Sequence, residues 1–220
     1  SMIWLMFFFY AIAISLAIQF LILPYILPQY HDGNGILSGV DSYLYHIRAE
    51  KQFNLIMDFG WSAWELRPEG WGITGVISAF YAFFGVAKPY VMIPIYAALH
   101  SLGSLCIVLL IEKLGVSRRV AFFSALPYLI FPSSVLWVTQ LLKDVFTLNA
   151  TLFILYGSIE VFDLLKNNSV IKSIKIFCFS IFIVITGLLL IWIITKKIPT
   201  TGAWIGTALA IIGSGLIFIY

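Results

Sequence analysis

"MIWLMFFFYAIAISLAIQFLILPYIL", residues 2–27, carries no charged side chain. A helix needs about 20 mostly apolar residues to cross the hydrocarbon core of a bilayer. This run exceeds that length, so it predicts a first transmembrane helix and decides the fold class. It is too long for the apolar part of a cleavable signal, and it has no small-residue cleavage site before Pro24. The rest of the chain agrees. Its 220 residues are 61% hydrophobic and 10% charged, with mean hydropathy +1.01. A water-facing globule usually has about 25% charged residues. The backbone of a membrane chain must satisfy its own hydrogen bonds, and no period-2 alternation of a barrel strand is present, so the expected class is all-α integral membrane.

A polar stretch follows at 28–69, with Asp32, Asp41, Glu50, Asp58, Glu65 and Glu69 against Arg48, Lys51 and Arg67. The segment 69–85 has only about 15 apolar residues, too few for a span. Its glycines and aromatics predict a helix lying at the membrane interface. Further spans are expected at 89–111, at 120–138 with kinks at Pro127 and Pro132, and at 141–165, 174–195 and 198–220. The reading is about six transmembrane helices in one module, 1–220, with juxtamembrane helices in an outer loop, 28–88. The apolar end at Tyr220 predicts the N-terminal part of a longer protein.

Charge sets the orientation. With 69–85 not crossing, Lys113, Arg118, Arg119, Lys166, Lys172 and Lys175 all fall on the side where the chain begins. That obeys the excess of Lys and Arg on the cytoplasmic side, so the N-terminus is expected in the cytoplasm and 28–88 outside. Lys143, Lys196 and Lys197, with Lys88 beside them, then sit at the outer face against the trend. Lysines at helix ends snorkel for ordinary reasons. The functional reading is a cationic collar for an anion, for which a lipid phosphate is the natural candidate at that depth.

Two constellations carry chemistry. In "TQLLKDVFTLNATLF", 139–153, Gln140, Asp144, Thr147 and Thr151 share one face if the segment is helical, and Lys143 flanks it. Such a face is either a polar helix contact or the wall of a polar cavity. In "GVDSYLYHIRAE", 39–50, Asp41 stands at the start of a helical pattern, which makes it a natural N-cap. His46 is a packed residue or a ligand, but no second histidine lies at metal-ligand spacing. "HDG" at 31–33 reads as a turn. Cys106 and Cys178, both in apolar runs, read as buried thiols.

The order of these features resembles the N-terminal half of the GT-C superfamily, integral-membrane glycosyltransferases that use polyprenyl-phosphate-linked sugars. Protein O-mannosyltransferases and the transferases that add aminoarabinose to lipid A belong to it. The resemblance rests on the charge-free first helix, on "DSYLY" (Asp41 to Tyr45) as a D-x-x-x-Y motif in the first outer loop, and on Pro68, Trp71 and "FFG" before and within a juxtamembrane helix. "LLKDVF" and the basic "ITKKIPTTG" complete it. Glu69 departs from it, standing where relatives often carry Pro or Gly.

The resemblance implies an inverting transfer on the outer face of a bacterial or archaeal plasma membrane. Asp41 would be the base. Lys143, Lys196, Lys197 and Arg67 would hold the lipid phosphate, and Tyr45, His46, Glu65 and Asp144 would contact sugar or acceptor. The partners are a polyprenyl-phosphate-linked donor, a lipid, polysaccharide or protein acceptor, and membrane lipids, with no role for nucleic acid. No organic cofactor is called for, and a divalent-metal requirement stays open. The alternative is a non-catalytic membrane subunit, or a transporter or flippase for lipid-linked sugars.

Overall fold

The computed structural model describes residues 2–166, with 161–166 as backbone only, together with 188, 189 and 192. All regular structure among them is helical, apart from one isolated bridge between His31 and Leu37. Helix α1 is Met2–Ala17, and the chain winds on through a wide turn, Ile18–Ile26, with Pro24 inside it. That wide winding ends with the Leu27 amide donating to the Ile22 carbonyl, five residues back. Helix α2 is Asp41–Phe59 and α3 is Gly72–Phe84. Helix α4, Ile93–Lys113, is preceded by a tight turn at Pro89–Met92. Then come α5, Arg118–Ile130; α6, Pro132–Thr139; and α7, Asp144–Lys166.

Two of these, Met2–Ile26 and Pro89–Lys113, are long and apolar enough to cross a membrane. The pair α5 and α6 makes a third if it counts as one broken span, bent by 68°. The expected total of six spans is therefore not supported by the described residues. The spans expected at 174–195 and 198–220 lie outside them, but for Leu188, Leu189 and Trp192.

The kink is a single break and not two. Pro127 lies inside α5 without interrupting it. Phe131, by contrast, is extended (φ −65°, ψ 135°) because the ring of Pro132 disfavours helical backbone in the residue before it. Helix α3, at 13 residues, is about 20 Å long at 1.5 Å per residue, short of the ~30 Å hydrocarbon core.

The helices run alternately between two ends. At one end Phe7 of α1 stacks on Phe122 of α5 at 5.4 Å, within a cluster that includes Val108, Ala121, Ala125 and Leu129. Lys113 of α4 pairs with Glu160 of α7 there at 3.2 Å, and Arg118 pairs with Glu112 at 3.6 Å. At the other end Ala11, Ile36, Tyr45, Ile77, Tyr96 and Val138 belong to a second cluster that draws α2 and α3 onto the bundle. Helix α2 packs on α3 through Tyr45, His46, Ala49 and Gln52, all buried. Burying Ile73 and Ile77 of α3, 1% and 0% exposed, stabilises that contact by about 1.5–3 kcal/mol each.

One contact needs a glycine. The backbone of the 60–71 loop lies directly on α3, and a Cβ at Gly75 would collide with the Leu66 carbonyl. Trp64 Nε1 donates to the Gly75 carbonyl at 3.0 Å across the same contact.

Candidate functional site at the α2 end of the bundle

The start of α2 sets Asp41. Val40 takes the cap position with extended backbone, so Asp41 is the first helical residue and makes no capping hydrogen bond. The expected N-cap is thus one residue out of place, because the turn through Gly39 (φ 74°) leaves Val40 as the last extended residue. The carboxylate still lies in the first turn, where the helix dipole favours negative charge. It is exposed, and its Oδ2 accepts the Tyr45 hydroxyl one turn on, at 3.4 Å. Burial and then the Asp41 charge push the Tyr45 hydroxyl up to about 12, with Asp144 adding to it. Asp144, half-buried at the start of α7, therefore acts on the same hydroxyl as Asp41.

Tyr45 is only 1% exposed. Its ring packs on Trp71 at 5.6 Å, and the Arg48 guanidinium covers the other ring of that stack at 4.8 Å from the Trp71 centroid. Only the hydroxyl of Tyr45 is therefore available as a binding group, through Asp41. His46 is 2% exposed and shares a 3.1 Å hydrogen bond with the Tyr81 hydroxyl through Nδ1. Burial lowers its pKa. The residue expected to meet sugar or acceptor thus packs between α2 and α3.

The loop before α3 gathers the next groups. Gln52, buried on α2, donates from Nε2 to the Glu65 carbonyl at 2.9 Å and accepts the Ser78 hydroxyl at 2.6 Å. This leaves the Glu65 side chain exposed on the wall of a hollow of about 150 Å³ shared with Arg48, Lys51 and Glu69. Glu69 holds an uncommon left-handed backbone (φ 52°). Its carboxylate is clasped by Arg48 Nε and Lys51 Nζ, each at 3.2 Å. Arg67 is occupied elsewhere. Its Nη2 donates to the Trp192 carbonyl, and its guanidinium lies 4.3 Å from the Trp192 ring centroid. The guanidinium expected at a lipid phosphate is thus stacked on an indole and bonded to a helix carbonyl.

Lys143 is exposed, immediately before α7, and its carbonyl accepts the Phe146 and Thr147 amides at 3.1 Å. The polar face expected from Gln140 to Thr151 is broken at its start. Gln140 lies outside any helix, between α6 and α7, with extended backbone. It reaches the 31–37 loop instead, where its Oε1 accepts the Leu37 amide at 2.9 Å. Thr147 and Thr151 spend their hydroxyls on carbonyls four residues back. Lys196 and Lys197 lie outside the described residues.

Sequence reasoning missed a second hollow at this end. It measures about 380 Å³ and is lined by Gln19, Tyr25, His31, Asn34, Lys88 and Tyr90, among others. Lys88 is exposed, with Nζ donating to Asn34 Oδ1 at 3.0 Å. His31 Nε2 accepts the Gly35 amide at 2.9 Å, which holds the loop in place. Gln19, 4% exposed, donates to the Thr139 carbonyl at 2.6 Å and keeps its Oε1 without a partner. The signal was present as a lone amide in the charge-free run, at the point where the helix winds wide, a geometry often found at functional sites.

Among the described residues no three His, Cys, Asp or Glu side chains gather where they could hold a metal ion. Comparison with models of protein families, with curated proteins and with solved structures finds no match.

Proposed function

We propose that this chain is the membrane module of an inverting glycosyltransferase of the GT-C type, moving a sugar from a polyprenyl-phosphate donor to an acceptor hydroxyl. The reading places the site on the outer face of a bacterial or archaeal plasma membrane, with the N-terminus cytoplasmic. The observation that carries it is the exposed Asp41 carboxylate, held by the Tyr45 hydroxyl at 3.4 Å, together with the exposed Lys88 that lines a separate hollow of about 380 Å³.

A sugar on a polyprenyl phosphate already has a good leaving group, so alignment, a base and a cation complete the chemistry. The acceptor hydroxyl gives its proton to Asp41 as its oxygen bonds to the anomeric carbon. The bond from that carbon to the phosphate oxygen breaks on the opposite face, which inverts the centre. The departing polyprenyl phosphate keeps the electron pair and is met by Lys88 and Lys143. Tyr45 holds the Asp41 carboxylate through its hydroxyl, and Asp144 and Glu65 are left to bind sugar or acceptor hydroxyls. Glu69 and Arg48, already paired, brace the loop.

The rival is a transporter or a non-catalytic subunit. Gathering of the exposed ionisable groups of this face around α2 supports surface chemistry over translocation.

The test is reconstitution with polyprenyl-phosphate-linked hexoses and pentoses as donors and undecaprenyl phosphate as a binding probe. Asp41→Asn should keep probe binding and lose transfer, while Lys88→Ala should weaken probe binding. Full transfer by Asp41→Asn would refute the catalytic role, and undiminished probe binding by Lys88→Ala would refute the phosphate site.

A further inference from the structure

Inside the bundle Asn149 of α7 and Tyr128 of α5 bring their oxygens to Gly103 of α4, and His100 of α4 stacks on the Tyr128 ring. His100 of α4 is 0% exposed, and neither ring nitrogen has a hydrogen-bond partner. Its ring stacks on Tyr128 of α5 at 4.5 Å, and the Tyr128 hydroxyl is buried and also unpartnered. Asn149 of α7 is 0% exposed, and its Nδ2 donates to the Val145 carbonyl at 2.7 Å while Oδ1 meets nothing. Gly103, one turn on from His100, is where they converge. A Cβ there would sit 2.9 Å from Asn149 Oδ1 and 3.1 Å from the Tyr128 hydroxyl. The two oxygens are therefore no more than about 6 Å apart, the span of one bridging atom at ordinary hydrogen-bond lengths.

Ordinary packing does not account for four polar atoms that find no partner among the described residues at one contact of three helices. Buried polar groups are normally bonded, and leaving them unmade is costly. Ser101 and Ser104, the neighbouring hydroxyls, already donate to carbonyls four residues back and contribute no partner. The chemistry of the set selects its ligand. Asn149 Oδ1 only accepts, neutral His100 offers one donor and one acceptor, and Tyr128 offers either. Among the described residues no Asp, Glu, Lys or Arg belongs to the cluster, so an ion would lack a counter-charge there.

We infer that His100, Tyr128 and Asn149 form an intramembrane site for one small uncharged molecule that both donates and accepts hydrogen bonds, and that water fills this role. Bound there, it ties three helices together. It also fixes the last turn of α5, where Tyr128 stands just before the 68° break. Gly103 keeps the site open.

The chain has three histidines, which makes the test direct. The full chain, labelled with ¹⁵N-histidine in lipid nanodiscs, is read by magnetisation transfer from water to the imidazole rings. His46, buried against Tyr81, reports folding. Transfer to His100 is expected in the wild type, with its acceptor nitrogen shifted upfield of free imidazole. Gly103→Ala fills the site and should reduce that transfer severalfold while the His46 resonance stays. Tyr128→Phe keeps the ring stack and removes one partner, and it serves if Gly103→Ala loses the His46 signal. Absence of transfer to His100 in the wild type overturns the inference. So does transfer unchanged in the folded variants.

Discussion

Gln52→Leu isolates the contact that presents the loop face of the site. Gln52 is 3% exposed and bridges two elements, from the Glu65 carbonyl at 2.9 Å to the Ser78 hydroxyl at 2.6 Å. Leucine nearly conserves the volume, so packing is held while both bonds go. Ser78 retains a second acceptor, the Gly75 carbonyl at 3.0 Å, so its loss is small. The Glu65 carbonyl retains no partner from α2. The bond to the Glu65 carbonyl, at about 1 kcal/mol, therefore sets the loss, which is roughly a 5-fold rise in local opening. The loss should stay local, since α2 and α3 remain joined by Tyr45, Ile73, Ile77 and Tyr81. Hydrogen exchange of the full chain in nanodiscs, read over residues 64–71, is the assay. There the Gly70 amide bonds the Arg67 carbonyl and the Trp71 amide bonds the Pro68 carbonyl, both at 3.0 Å. Exchange within about threefold of wild type would refute the reasoning, and so would an equal loss of protection in α4, which would mean global unfolding.

Further outcomes follow from the same geometry. Asp41→Asn should lower sugar transfer by about 10²–10⁴-fold, the usual worth of a positioned base, measured as initial rate with saturating donor. Glu69→Gly removes two exposed ion pairs worth about 0.2–1 kcal/mol each but relieves a left-handed backbone that costs about 1–3 kcal/mol. Its melting temperature should therefore match or slightly exceed wild type. Gly75→Ala drives a methyl into the Leu66 carbonyl and should destabilise by about 1–3 kcal/mol, read by thermal denaturation in detergent. His46 is held below its ordinary pKa by burial. The unfolded chain then takes up a proton below about pH 6.5 that the folded chain resists, so stability falls as pH drops through that value. His46→Gln should flatten this part of the stability–pH curve.

Hydropathy was sufficient for the all-helical class and for two helices apolar enough to span. The apolar runs at 2–27 and 89–111 fall in helices Met2–Ile26 and Pro89–Lys113, both long and apolar enough to cross a membrane. The 13-residue α3 is too short to span, as its sequence indicated. Periodicity suggested Leu44 and Ile47 as the apolar side of α2, but both are exposed, and Tyr45 and Ala49 are the residues buried there. The site was less legible. Asp41 and its helix were found from turn chemistry, but the partner of His46 lies 35 residues away on α3. Arg67 was assigned to a phosphate and rests on Trp192, 125 residues on. Glu69 joins Arg48 and Lys51 only because a left-handed turn aims it back at α2. Gln19, Asn34 and Lys88 come from three separate segments and share one hollow. Composition, span length and helix starts are local properties, written in windows of a few to about 20 residues, and the sequence determined them alone. Which carboxylate meets which cation depends on how apolar faces pack across long separations. Packing of α2, α3 and the wide end of α1 against the bundle decided it.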